Sequence, residues 1–360
     1  MNVRYGMRRL VGLLRLLVIA SAIAALPVRA ADKASSCERS ACMECVYFGT
    51  RAEGPGQGIQ ATQLDAATGQ LGALRLVAEV SHATWLQVHP RLPVLYAVNE
   101  IGGADGVEAG IYSLAVDRDS GNLRLLNQSG SGGGGATHLY VDAFSSTLFV
   151  ANYGSGSVAA LPILSDGTLG AATSVQYSGS GPSPGQRGPH AHGVLLDPSR
   201  HFLLSADLGA DRIFVYRFNP SSHQLTPNEP SAMLVAPGSG PRHMAFHPDG
   251  GLLVLITEFA AELQTYHWDP RRGRLQLLQT TSTVAPDFKG TPSAAEVAVS
   301  PDGRFVYASN RGEDTLLVYS LNARSGALSL VQRLSTRAPT QSTCSASIPP
   351  PACSAAHNRL

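Results

Sequence analysis

The chain has 360 residues, 44% of them hydrophobic and only 15% charged, with 37 glycines and 23 prolines. Its formal charge is +1, but residues 1–30 hold five arginines and no acid, and without them 22 basic residues face 26 acidic ones. A mildly acidic remainder excludes the electrostatic footprint of a nucleic-acid-binding protein, and plentiful glycine and proline suit many short strands joined by tight turns.

Residues 1–30 read as a secretory signal. Arginines between Arg4 and Arg15 precede an apolar run from Leu16 to Leu26, and Val28-Arg29-Ala30 offers small residues for cleavage. The run is shorter than the ~20 residues that cross a bilayer, so export without a permanent membrane anchor is expected, periplasmic or extracellular. A polar linker, 31–44, follows. Cys37, Cys42 and Cys45 fall in a C-x4-C-x2-C spacing, with Cys344 and Cys353 far downstream. No fourth cysteine lies at an iron–sulfur distance, so one or two disulfides tying the termini are expected, with an odd thiol left over and the pairing open.

From Cys45 a partial unit, CVYFGT…GIQATQLDAATGQL, supplies outer strands. Five full units come next: TWLQVHPRLPVLYAVNE from Thr84, THLYVDAFSSTLFVANY from Thr137, HGVLLDPSRHFLLSADL from His192, RHMAFHPDGGLLVLITE from Arg242 and AEVAVSPDGRFVYASNR from Ala295. Their turn positions Pro90, Ala143, Pro198, Pro248 and Pro301 are 53, 55, 50 and 53 residues apart. Period-2 alternation, Pro-Asp-Gly turns and a unit of about fifty residues with four strands are the signature of propeller blades. The propeller is expected over 45–336. After Leu334 strand periodicity stops, and 337–360 reads as an irregular Ser/Pro/Cys-rich tail.

The register points to a site. Each first strand starts on the side where the second ends, because the two are antiparallel. One mouth of the channel therefore collects His192, Arg242, Glu258 and Arg311, with Glu100, Asn152, Asp207, Glu296 and Asn310 close by. Two arginines can hold an anionic group, and a histidine or carboxylate beside them can activate water. Polar strand ends lining a wet channel are the plainer alternative.

The segments PHAHGVLLDPS, GSGPRHMAFHPDG, SAAEVAVSPDGRFVYASNRG and GGATHLYVDAFSSTLFVANYGSGSV resemble the lactonase family of seven-bladed propellers, which includes propeller-type 6-phosphogluconolactonases and carboxymuconate cyclase. The resemblance implies an all-β, seven-bladed fold whose last blade is missing or incomplete here, as in a C-terminally truncated member. It implies His192, Arg242, Glu258 and Arg311 as catalytic residues, and neither a cofactor nor a metal. His190 is expected beside the substrate, with Asn152, Glu296, Asn310 and Glu100 as further contacts. The expected ligand is a small lactone or sugar acid, and export fits a lactone other than a cytosolic sugar phosphate. A non-catalytic binding propeller and a lactonising cyclase remain alternatives. Gly181-Pro182-Ser183-Pro184-Gly185 matches G-x-S-x-G, but its prolines make it a loop and not a nucleophile elbow.

Overall fold

The computed structural model describes residues 43–51, 54, 56–101, 110–336 and 345–348. The expected signal at 1–30, the linker up to residue 42 and most of the tail lie outside the described residues, as do Cys37, Cys42, Cys344 and Cys353. Cys45 is a free, half-buried thiol. Every regular element among the described residues is a β-strand.

The strands form six sheets. The first holds β1 (Met43–Phe48), β2 (Ile59–Asp65), β3 (Gln70–Leu71) and β4 (Arg75–Ala78). Five four-stranded sheets follow: β5 (Leu86–Val88) to β8 (Leu123–Gly130), β9 (Ala136–Asp142) to β12 (Thr173–Gln176), β13 (Ala191–Leu196) to β16 (Gln224–Leu234), β17 (Pro241–Phe246) to β20 (Arg274–Ser282), and β21 (Ala294–Val299) to β24 (Leu328–Ser335). Within each, antiparallel neighbours follow chain order, which is the up-and-down meander of a propeller blade. The tail is corrected at one place. Ser345–Ile348 is a strand, β25, paired with β1 on the side away from β2. It takes the innermost position that the first strand holds in every other blade, so the N-terminal sheet is completed from far down the chain.

The second strand of each blade explains why the fold closes around a core. In β6 (Val94–Asn99), β10 (Thr147–Asn152), β14 (Phe202–Asp207) and β18 (Leu252–Thr257) every residue is buried. Continuous apolar runs such as LLVLIT suit a strand covered on both faces. Five apolar layers fill the spaces between successive sheets, from Tyr47, Ile59 and Leu95 between the first two to Val254, Ile256 and Leu317 between the last two. Among the described residues no such layer joins the β21–β24 sheet to the N-terminal one. There β22 (Phe305–Asn310) alternates, with Val306 and Ala308 buried and Tyr307 45% exposed. Tyr307 lies in register with Ala298 and Val318, and Leu316 with Leu334, so an apolar sheet face stands uncovered.

One backbone device recurs at the mouth. In β9, β13 and β17 the second residue has no partner on the second strand: Thr137, His192 and Arg242 are bulged out of the ladder. In β21 the pairs Ala294↔Asn310 and Val297↔Ala308 leave Ala295 and Glu296 against Ser309 alone. A β-bulge turns a side chain away from the face that the pleat would give it. In β9, β13 and β17 it turns one side chain each toward the channel mouth: Thr137, His192 and Arg242.

Candidate active site

A cavity of about 730 Å³ opens at that mouth. His192, Arg242, Glu258 and Arg311 all line it, with Glu100, Thr137 and Tyr153. His192 and Arg242 arrive on bulges, whereas Glu258 and Arg311 each follow directly on a second strand, β18 and β22. Gly193 makes the approach of two blades possible. A Cβ there would stand 2.5 Å from the carbonyl oxygen of Arg242, so any side chain would push β13 and β17 apart.

Glu258 is shared by both arginines. Its Oε2 accepts from Arg242 Nε at 2.9 Å, and its Oε1 pairs with Arg311 Nη2 at 2.7 Å. The two guanidinium groups are not equivalent. Arg242 is nearly fully buried and also donates to the carbonyl of Ala295. Arg311 is 31% exposed, and its Nε and Nη2 make no aligned hydrogen bond despite the ion pair. Its charge is balanced by Glu258. A third arginine, Arg51, reaches the cavity from the N-terminal sheet and pairs with Glu100.

Three histidines cluster beside the arginines, two of them in the cavity wall. His192 Nδ1 lies 3.1 Å from His243 Nε2, and His243 Nδ1 lies 2.8 Å from Glu296 Oε2. His138 and Trp85 stack alongside, with ring centroids 4.0 Å apart. Burial, reinforced by the Arg242 charge, holds His192 well below the usual imidazole pKa, so the ring is neutral at pH 7. Burial does the same to His138 and, less strongly, to His243, where the Glu296 carboxylate opposes it.

The remaining expected contacts divide. Glu100 lines the cavity. His190 does not: it stacks on Tyr153 at 4.5 Å and hydrogen-bonds that residue's carbonyl, supporting a lining side chain from behind. Asn152 and Asn310, expected as substrate contacts, are fully buried and bind the crossover segments at Ser131 and Thr283. Glu296 serves His243 and not the cavity. Tyr153, a second-strand end, lines the cavity as the register implies, whereas Trp85 and His243 line it without having been picked out, although His243 stands in the same G-P-R-H segment that yields Arg242. Among the described residues no three His, Cys, Asp or Glu side chains converge on a metal position, and no helix is long and apolar enough to cross a membrane.

Comparison with known proteins shows the family. The family model "Lactonase, 7-bladed beta-propeller" matches residues 45–341. The 6-phosphogluconolactonase of Bacillus subtilis is 33% identical over 291 residues, 81% of each chain. Among solved structures, a periplasmic gluconolactonase of Pseudomonas aeruginosa superposes with a TM-score of 0.77 at 32% identity, covering 83% of this chain and 84% of that one. A putative 6-phosphogluconolactonase of Bacteroides fragilis gives 0.75 at 30% identity, covering 82% of each.

Proposed function

The chain belongs to the lactonase family of β-propellers, and from that premise we propose that it is a hydrolase opening an uncharged sugar lactone. The observation that carries the reading is a neutral, buried imidazole beside two arginines that share one glutamate. Relatives named 6-phosphogluconolactonase and gluconolactonase at about 30% identity support the reaction class.

Charge decides between substrates. Arg242 and Arg311 share Glu258 and Arg51 pairs with Glu100, so three arginines of the lining face two glutamates. The one positive charge left over is less than a phosphate dianion needs for balance. The anion that Arg311 meets is then the oxyanion that develops during reaction, where preorganised donors matter most. His192 Nε2 takes a proton from water as the water oxygen bonds to the lactone carbonyl carbon. The tetrahedral oxyanion collapses, the ring C–O bond breaks, and the departing ring oxygen takes the proton from His192. The product is an open-chain hydroxy acid, which ionises to solvent. Glu258 holds the two guanidinium groups in place.

Export accords with such a substrate: the N-terminal thirty residues read as a signal, and one similar solved protein is a periplasmic gluconolactonase. We also propose that the six sheets keep the curvature of a seven-bladed ring, with one blade's place left open between β24 and the N-terminal sheet. The uncovered face of β22 and the family description support this.

The test is hydrolysis of a lactone panel by the purified protein, measured as acid release above the spontaneous rate. Uncharged aldonolactones should be turned over with a higher kcat/KM than 6-phosphogluconolactone. A preference for the phosphate ester would overturn the charge argument, and no turnover of any lactone would overturn the reaction class.

A further inference from the structure

We infer that Glu296 and His243 lock His192 in the tautomer whose Nε2 is bare, through a chain of one carboxylate and two imidazoles in series. The catalytic consequence rests on the lactonase reading; the placement of the hydrogens does not.

Glu296, half-buried, is the acidic end of the chain. Glu296 Oε1 accepts from the backbone N–H of Val297 at 2.9 Å, which leaves Oε2 for His243. Burial alone would raise the pKa of this carboxyl, but His243 and Arg242 outweigh it and keep the group ionised. An ionised oxygen only accepts, so His243 carries its hydrogen on Nδ1. Arg242 Nη1, also a donor, lies 3.3 Å from the same nitrogen. Were Nδ1 to accept from it, a lone pair would face a carboxylate at 2.8 Å. The shorter, charge-assisted contact decides.

His243 is neutral, so its Nε2 is an acceptor. The group 3.1 Å away is His192 Nδ1, which must donate. One hydrogen per neutral ring leaves His192 Nε2 with its lone pair. The ring lines the cavity. The charged and titratable groups facing His192 are Arg242 and His243 from β17, His138 from β9 and Tyr153 from the end of β10. Through His243 the charge of Glu296 reaches it. When Nε2 takes a proton, Glu296 stabilises the imidazolium across His243 without being protonated itself. Glu296 and His243 are thus positioning residues, acting through His192.

Two readouts on the full protein test this. Long-range ¹H–¹⁵N correlation at neutral pH reports which ring nitrogen bears hydrogen, and both His192 and His243 should carry it on Nδ1. In Glu296→Gln kcat should fall about ten- to a hundredfold, a share of what a general base contributes, with KM within about twofold. The acid limb of the pH profile should move to lower pH, because the lost anion makes His192 harder to protonate. His243→Gln, whose carbonyl can still accept from His192, should keep more activity than His243→Leu, which also covers the case of a variant that folds poorly. An Nε2–H tautomer at His192 in the native protein would overturn the proposal, as would Glu296→Gln with unchanged kcat and acid limb. If the native protein opens no lactone, the lactonase reading fails while the tautomers still decide this one.

Discussion

Glu258 has no oxygen to spare, and that sets how single substitutions at the mouth should behave. Arg242→Ala removes a nearly buried partner and leaves Glu258 leaning on Arg311 alone. Loss of one charge-assisted contact is worth about 1.5–3 kcal/mol, or roughly ten- to a hundredfold in turnover. Arg242→Lys keeps the charge but loses the fork that spans Glu258 and Ala295, so it should fall between Arg242→Ala and the native enzyme. Equal activity for alanine and native protein, with folding intact, removes Arg242 from the mechanism. A second expectation concerns acid. In the proposed reaction His192 is a base in its neutral form, and burial and Arg242 depress its pKa. The neutral form therefore persists as pH falls through about 6.5, and kcat/KM should hold there and drop only at lower pH. Stability runs the other way. Below about 6.5 the unfolded chain takes up protons that buried His138, His192 and His243 refuse, so stability is full above that pH and declines beneath it. Melting temperatures across pH 5–8 together with a pH–rate profile separate the two effects.

At the scale of the strand, the bulge matters more than the sequence lets one see. The fifty-residue spacing and strand ends were readable because turn chemistry and period-2 alternation are local signals. That His192 and Arg242 leave the ladder was not readable, since a bulge depends on the partner strand. Asn152 and Asn310 misled for a related reason: a polar residue at a strand end looks exposed, yet both are buried and fasten the crossover to the next blade. Glu296 was visible as a neighbour of the site, but its link to His243 crosses from one blade to the next. The approach of β13 to β17 carries the third expectation. In Gly193→Ala the new methyl meets the Arg242 carbonyl at 2.5 Å, and backbone must move. Overpacking of this kind costs about 1–3 kcal/mol. Because the shift separates His192 from Arg242, activity should fall further than the loss of melting temperature implies. A variant with native kinetics would show that the two blades are not held at a fixed spacing by this contact.

On the scale of the molecule, the ring is strong on five of its inner boundaries and bare on one face. A propeller suppresses sheet edges by closing its circle. Here β25 seals the inner edge of the N-terminal sheet, a pairing hidden in sequence because four residues, SASI, carry no detectable period. The face bearing Tyr307, Leu316 and Leu334 has no cover among the described residues. Exposed apolar faces of this sort promote association. The protein should therefore self-associate as concentration rises, and Tyr307→Lys with Leu316→Lys should reduce association while leaving lactone turnover intact, since neither residue lines the cavity. Sedimentation velocity over a concentration series checks it. A native protein that stays monomeric throughout would mean that this face is covered in solution.

The recurring bulge has one more consequence. In four blades the pairing ladder skips one position near the start of the first strand, so the extra residue takes no part in fixing the register. Thr137, His192, Arg242 and the Ala295-Glu296 pair are four answers written at the same address. Chemistry in this molecule is thus spelled by blade, one letter at a time, on a frame that does not depend on the spelling.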